Sequence, residues 1–304
     1  MDLLVVGSVG LDDVETPVDK IKNALGGAAT YISLTASYFT NPVKLIAVVG
    51  DDFPDEHYKM LEDHNVNMEG LEIVEGGKTF RWGGRYHNNM NDRDTLFTDL
   101  NVFENFSPVV PEESKKNNYV ILGNILPSLQ LQVLDQLEGD NFVICDTMNL
   151  WIENTKEDLL KVLKRTDVLI INDSEASMLS NEPNLFKAAK IIRDMGPKYL
   201  IIKKGEHGAL LFNGEKIFSA PAYPLESIFD PTGAGDTFLG GFAGHLHKTG
   251  DLSFENMKRA VIYGSVMASF NVEKFSTIGL EKLNTEKIQN RYNEFVELSR
   301  FDNE

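Results

Sequence analysis

The sequence predicts an α/β protein built on a doubly wound, mostly parallel sheet with a small β-sheet lid. Three observations carry this. From Tyr119 onward, short apolar runs alternate with segments of helical spacing, the pattern of strands joined by crossover helices. At the start, Leu3-Leu4-Val5-Val6-Gly7 reads as a short buried strand ending at a glycine. Between these regions, residues 70–105 change texture and alternate bulky with polar or small side chains, as a half-exposed hairpin does.

The elements follow in order. Residues 8–15 lie where open α/β sheets bind ligands, just beyond a strand's carboxyl end, but lack a full Gly-x-Gly-x-x-Gly dinucleotide fingerprint. Gly26 and Gly27 punctuate the start of a helix that continues through Ile32, Leu34, Thr35 and Tyr38. Residues 43–49 form a second apolar strand, followed by Gly50-Asp51-Asp52, read as a strand-to-helix turn, and a helix over about 55–64. Residues 79–86 read as a strand, 88–94 as a polar turn and 95–98 as the returning strand. The aromatic face of this hairpin, Phe80, Trp82 and Tyr86, either stacks on a ligand ring or packs. Packing into a homodimer through the lid is the expectation, because a lone hairpin is only marginally stable.

Strands are then expected over 119–122, 142–146, 167–171 and 199–203, with helices over 127–137, 157–164 and 184–195 and a short one near Glu175. A glycine turn and a strand follow to residue 210, then helices over about 235–246, 254–270 and 284–298. No Pro/Ser-rich linker interrupts the chain, so residues 1–304 read as one domain.

Composition narrows the function. Twenty-nine Lys and Arg against 46 Asp and Glu give a net charge of −17, a surface that repels nucleic acid and anionic membranes. The single cysteine, Cys145, lies in an apolar run and precludes an internal disulfide framework. No signal peptide or membrane span is read at the start, so a cytoplasmic protein is expected. The six histidines have no metal-binding spacing, and no Gly-x-x-x-x-Gly-Lys-[Ser/Thr] phosphate loop is present.

The chemistry concentrates in Phe229-Asp230-Pro231-Thr232-Gly233-Ala234-Gly235-Asp236-Thr237-Phe238. Pro231 ends the preceding segment, and Gly233 and Gly235 allow a tight turn with close ligand approach. A glycine-rich turn feeding a helix leaves N–H groups free beside the positive end of the dipole, an anion site suited to phosphate. Asp236, in the first turn, is either a favourable helix N-terminal charge or a base beside the phosphate cradle. A cradle that also holds a base is what phosphoryl transfer to a hydroxyl requires.

This stretch resembles the signature of the ribokinase-like (PfkB) carbohydrate and nucleoside kinases, and the resemblance extends over most of the chain. It implies that Gly233, Ala234 and Gly235 form the anion hole and that Asp236 takes the proton from the substrate hydroxyl. Asp12 is implied to bind sugar hydroxyls and Gly26 and Gly27 to pack against the sugar, with Tyr31 where many members carry Asn. Asn172-Asp173-Ser174-Glu175 is similar to the family's Asn-x-x-Glu motif, which helps place nucleotide phosphates and Mg²⁺, with Glu175 acting through water. The same residues alone also read as a helix N-cap. Lys203, Gly205 and Gly208 fall on the family's nucleotide turn. Members often have Thr where Lys203 stands, which favours a backbone contact there; a cationic Lys203 or Lys204 also suits phosphate charge, against the plain reading of a solvated turn lysine. Asp230 and Thr232 resemble positions that hold a monovalent cation, K⁺, in many members. Family members also carry a β-sheet lid, here over about 12–20 and 70–105. The resulting reading is a kinase using ATP and Mg²⁺ on a hydroxymethyl group of a small sugar. A nucleoside kinase is the alternative, and a non-catalytic sugar or nucleotide sensor is disfavoured because Asp236, the anion-hole glycines, Asn172 and Glu175 are all present.

Overall fold

The computed structural model describes residues 2–116 and 118–300. The ends of the expected 1–304 domain and Asn117 lie outside them. In chain order the elements are β1 (Leu3–Val6), β2 (Gly10–Glu15), β3 (Lys20–Gly26), α1 (Ala28–Ser37), β4 (Val43–Gly50), α2 (Asp55–Asp63) and β5 (Val66–Val74). Next come β6 (Phe80–Tyr86), β7 (Arg93–Asp99), β8 (Tyr119–Leu122), α3 (Pro127–Gln136), β9 (Phe142–Asp146), α4 (Asn149–Asn154) and α5 (Lys156–Leu163). The rest are β10 (Val168–Asn172), α6 (Asp173–Ser180), α7 (Leu185–Arg193), β11 (Tyr199–Lys203), β12 (Ala209–Asn213), β13 (Lys216–Ala220), α8 (Ala234–Thr249), α9 (Phe254–Asn271) and α10 (Thr285–Ser299). No helix among the described residues is long and apolar enough to cross a membrane.

The main sheet has nine strands in the order β13-β12-β11-β10-β9-β8-β1-β4-β5, parallel except for the antiparallel β11-β12 and β12-β13 pairs. Successive residues of each strand feed opposite faces. Leu3, Val5, Ile121 and Ile170 pack under Ile32 of α1, Phe238, Phe242 and Leu246 of α8 and Val261 of α9. Leu4, Val6, Val120 and Ile171 pack under Val133 of α3, Leu159 of α5, Ala176 of α6 and Ile192 of α7. Each such fully buried aliphatic side chain contributes about 1.5–3 kcal/mol, so the two layers supply the bulk of the stabilising term. The chain runs outward from β1 to β4 and β5, then returns to β8 on the other side of β1. Sheets of this kind bind ligands beyond the strand carboxyl ends at such a reversal.

A four-stranded sheet, β3-β2-β6-β7, forms the lid. Its extent differs from the expected 12–20 and 70–105. Both β2 and β3 belong to it, whereas Val66–Val74 pairs with β4 as the edge of the main sheet. The polar first half of Lys20-Ile21-Lys22-Asn23 hid β3, because that half is exposed and only its end is buried. Gly50-Asp51-Asp52 anchors the lid: Asp52 Oδ1 accepts from Thr79 N and Oγ1, both at 2.7 Å, and Asp51 Oδ2 accepts from Gly76 N at 2.8 Å. Phe80 packs on Phe103, with ring centroids 5.8 Å apart, and Tyr86 is buried, so much of the expected aromatic face is packed within the chain itself.

Helices α1 and α8 meet through glycine. A Cβ on Gly240 would lie 2.6 Å from the Ile32 carbonyl oxygen and 2.8 Å from Thr35 Cβ, and one on Gly244 would lie 3.1 Å from Ala36 Cα. The two helices carry opposite walls of the site, so their spacing is a functional dimension. Gly240→Ala should therefore force them apart and cost roughly 1–3 kcal/mol, the usual price of overpacking. Urea unfolding checks this, and an unchanged midpoint would mean that the contact yields freely.

Candidate active site

The carboxyl ends of β1, β9, β10 and β11 and the start of α8 converge under the lid. Gly233 caps α8 in the left-handed region, with φ of 73°, and a Cβ there would strike the Tyr31 ring at 2.5 Å. Two separate reasons thus demand glycine, the backbone angle and the close ring. Ala234 N donates back to the Pro231 carbonyl at 3.2 Å. First-turn N–H groups have no intrahelical acceptor, so those of Gly235 and Asp236 are the ones left for a ligand.

Asp236 sits half-buried in that first turn, and its Oδ1 is buried with no hydrogen-bond partner. Burial, and then the charge of Asp146, push its pKa up to about 7, while Lys203 and Arg93 pull the other way. On the substrate side, Asp12 of β2 is only 5% exposed and its carboxylate lies against Gly26, where any Cβ would overlap it. Burial, followed by the charges of Asp230, Asp236 and Asp13, raises Asp12 to about 8. Tyr31 lies between the two halves. Its ring covers Gly233, and burial followed by the charges of Asp12, Asp230 and Asp236 hold its phenol well above the ordinary tyrosine value. The expected substrate residues and the expected base thus surround one side chain.

Asp230 is fully buried beneath the turn. Its Oδ1 accepts from Thr232 N at 2.8 Å and its Oδ2 from Ser276 N at 3.1 Å. Thr232 Oγ1 donates to Tyr86 Oη at 3.2 Å, which ties the lid to the anion-hole turn. Asn271 Nδ2 donates to the Thr232 carbonyl at 2.8 Å, and its Oδ1 is buried without a partner.

On the other side, Asn172 and Glu175 form a capping box at the start of α6. Asn172 Oδ1 accepts from Glu175 N and Glu175 Oε2 accepts from Asn172 N, both at 2.8 Å. The helix-cap reading of this motif is therefore realised, yet the carboxylate also faces the site. Burial, and then the charge of Asp146, raise Glu175 to about 7. Lys203, at the end of β11, is 19% exposed with Nζ 3.7 Å from Asp146 Oδ1. Burial alone would depress it, but Asp146, Glu175 and Asp236 more than offset that and hold its pKa above the usual lysine value. The side chain, not only the backbone, is thus part of the site. Gly205 and Gly208 bracket the turn to β12, where Lys204 N donates to the Gly208 carbonyl at 2.7 Å. The lid tip reaches this turn, with Asn91 Oδ1 3.4 Å from where a Gly205 Cβ would sit.

Two site residues went unread in the sequence. Asp146 ends an otherwise apolar strand, and a charge at a strand's carboxyl end was the available signal. Arg93 is the other. It starts β7, its guanidinium lies 5.6 Å from the Trp82 ring, and its charge acts on both Asp236 and Glu175. Nothing in its polar turn distinguishes it.

The sequence pattern of the pfkB family carbohydrate kinases matches residues 3–283. The chain belongs to the pfkB family of carbohydrate kinases. Its membership makes it a kinase with the ribokinase fold. A cytidine kinase of Thermococcus kodakarensis is 30% identical over 247 residues, covering 80% of this chain and 87% of that one. The crystal structure of the Methanocaldococcus jannaschii nucleoside kinase, an archaeal member of the ribokinase family, matches with a TM-score of 0.76 at 21% identity, covering 97% and 99% of the two chains. A putative ribokinase II of E. coli in complex with ATP and Mg²⁺ matches at 0.76 and 18%, covering 96% and 99%. At these identities the two structures speak for the fold.

The raised pKa of Asp12 has a consequence for stability. Between about pH 4 and pH 8 the folded state keeps a proton that the unfolded chain has lost, so the ligand-free protein loses stability as pH rises through that window. Asp12→Asn cannot ionise. Its melting temperature should exceed that of the parent by a margin that widens from pH 4.5 to pH 8. A margin independent of pH would mean that Asp12 ionises freely in the folded state.

Proposed function

We propose that this pfkB-family kinase transfers the terminal phosphoryl group of ATP to the hydroxymethyl group of a nucleoside. The observation that carries the reading is the placement of Asp12, Tyr31 and Asp236 about one point, beside the first-turn amides of α8. Asp12 accepts hydrogen bonds from the ribose hydroxyls, and Gly26 and Gly27 let the sugar approach the main chain. Asp236 takes the proton of the hydroxyl under attack. A loose transition state releases that proton late, so an ordinary carboxylate suffices as acceptor. The turn from Gly233 to Gly235, with the dipole of α8 behind it, receives the charge of the phosphoryl group. The lid, tied down through Tyr86 and Thr232, keeps water from competing for that group.

The site suits Mg²⁺. Asp146 Oδ1 and Asp236 Oδ1 are buried and unpartnered, and burial and the neighbouring charge of Asp146 push Glu175 up to about 7. Among the described residues no three acidic, histidine or cysteine side chains form a cage of their own, which fits an ion held mainly by phosphates and waters with Asp146 and Glu175 outside them. Bound there, the ion would neutralise phosphate charge. Asn172 and the Lys203–Gly208 turn would meet the nucleotide. A monovalent cation would sit by Asp230, Thr232 and the unpartnered Asn271 Oδ1, bracing the turn. A second copy of the chain would cover β7, whose residues are largely exposed.

A nucleoside is favoured over a free sugar, the other reading, by Trp82. It is register-paired with Asp12 across β2 and β6 and so shares its face of the lid, and the six-membered ring of its indole lies close against Gly84. An aromatic plane beside the diol carboxylate is where a base would stack. The cytidine kinase of T. kodakarensis supports the same choice.

Stacking of one base contributes about 1–3 kcal/mol. The best nucleoside of a panel including cytidine, uridine, adenosine and inosine should accordingly exceed ribose by about ten- to a hundredfold in kcat/KM. The product should carry one phosphoryl group, and Trp82→Ala should erase most of the preference. Faster turnover of ribose than of every nucleoside would return the assignment to a sugar kinase.

A further inference from the structure

We propose that Lys203 is the side-chain cation that grips the transferred phosphoryl group itself, and that Asp146 holds it in place for that task. This rests on the kinase reading above and adds a residue role to it. Lys203 Nζ lies against the anion-hole turn. The atoms that a Cβ on Gly235 would meet are Lys203 Nζ at 2.8 Å and Cε at 3.7 Å. The ammonium therefore stands beside the backbone that receives the phosphoryl group, not out along the turn at Gly205 and Gly208 where the rest of a nucleotide would lie. Its register neighbour across β10 and β11 is Asn172, so it is held at the strand end from which the site opens.

The pairing with Asp146 is loose in a telling way. At 3.7 Å the contact exceeds the 2.7–2.9 Å or so of a strong charge-assisted hydrogen bond. Asp146 Oδ1 accordingly counts as a buried acceptor with no hydrogen-bond partner. Asp146 thus orients the ammonium mainly through charge and leaves N–H donors for a ligand. The surrounding carboxylates, Asp146, Glu175 and Asp236, outnumber the lysine, so an anion alone has little reason to enter. A phosphoryl group arriving with its own metal restores the balance.

During transfer, a bond forms between the substrate oxygen and the terminal phosphorus while the bond from that phosphorus to the bridging oxygen breaks. The electron pair leaves on ADP and the hydroxyl proton goes to Asp236. Lys203 keeps its protons and donates hydrogen bonds to the oxygens of the moving group, where a preorganised donor in a partly dry site is most effective.

The test separates the terminal phosphate from the inner ones by binding alone. Titration calorimetry with ADP and with a non-hydrolysable ATP analogue, both with Mg²⁺, gives two dissociation constants for each variant. In Lys203→Met the analogue should weaken by about ten- to a hundredfold, the worth of a charged hydrogen bond. ADP should stay within about threefold, and Lys203→Arg should recover part of the loss. Lys203→Thr keeps the test open if the methionine variant does not fold. Equal weakening of both ligands would assign Lys203 to the inner phosphates, and no change in either would leave only a structural ion pair; each overturns the proposal. A wild-type chain that binds neither nucleotide would instead bring down the kinase reading beneath it.

Discussion

Crowding of negative charge at the carboxyl ends of the strands is the constraint on which the rest of this molecule turns. Asp12, Asp146, Glu175, Asp230 and Asp236 are drawn together by the topology, and burial raises the pKa of every one of them. Such a cluster works against folding, because desolvated like charges repel strongly at low local dielectric. What holds it is local and positive: Lys203, Arg93, the N-terminal end of α8 and the backbone N–H groups that satisfy Asp230. The chain's overall charge of −17 makes this local reversal more necessary, since an anionic nucleotide meets a repelling field everywhere else.

The fold is arranged to make that crowding bearable. Two apolar layers above and below the sheet are dense enough to offset an unfavourable polar end, and stability lost at a functional site is ordinarily recovered elsewhere. The glycine contacts between α1 and α8 set how far Tyr31 stands from the anion-hole turn. From the other side, Asp52 fixes the root of β6 at Thr79, and Thr232 fixes the far end of the same strand at Tyr86. Fastened at both ends of β6 to the same walls as the α8 turn, the lid is braced against the candidate site.

Much of this was legible in the sequence, and the physical reason is locality. The turn from Asp230 to Asp236 is one continuous stretch whose glycines, proline and acid each have a separate backbone or charge role, so its chemistry can be read without knowing its neighbours. The same is true of the main-sheet strands, whose apolar runs are buried on both faces. Elements at the margin were harder. Lys20–Gly26 is polar through its first half because half of it faces solvent, and Val66–Val74 mixes Glu69 and Glu72 into an edge strand. Asn172 and Glu175 illustrate a different limit: the cap is formed and the same carboxylate faces the candidate site, so the two readings are compatible. Lys203, Asp146 and Arg93 acquire meaning only through one another. They come from three separate strands, two in the main sheet and one in the lid, and no spacing along the chain encodes their approach.

The central claim is that Asp236 accepts the substrate proton at the mouth of the α8 turn, and single-turnover kinetics of Asp236→Asn address it most directly. The substitution keeps the size of the side chain and the turn around it. On a folded variant with unaltered nucleotide affinity, the rate of phosphoryl transfer should fall by roughly 10²–10⁴-fold, the usual contribution of a positioned base. A helix N-terminal charge and nothing more would be worth about 1 kcal/mol of stability and no catalysis. Transfer at close to the parental rate in Asp236→Asn would contradict the account.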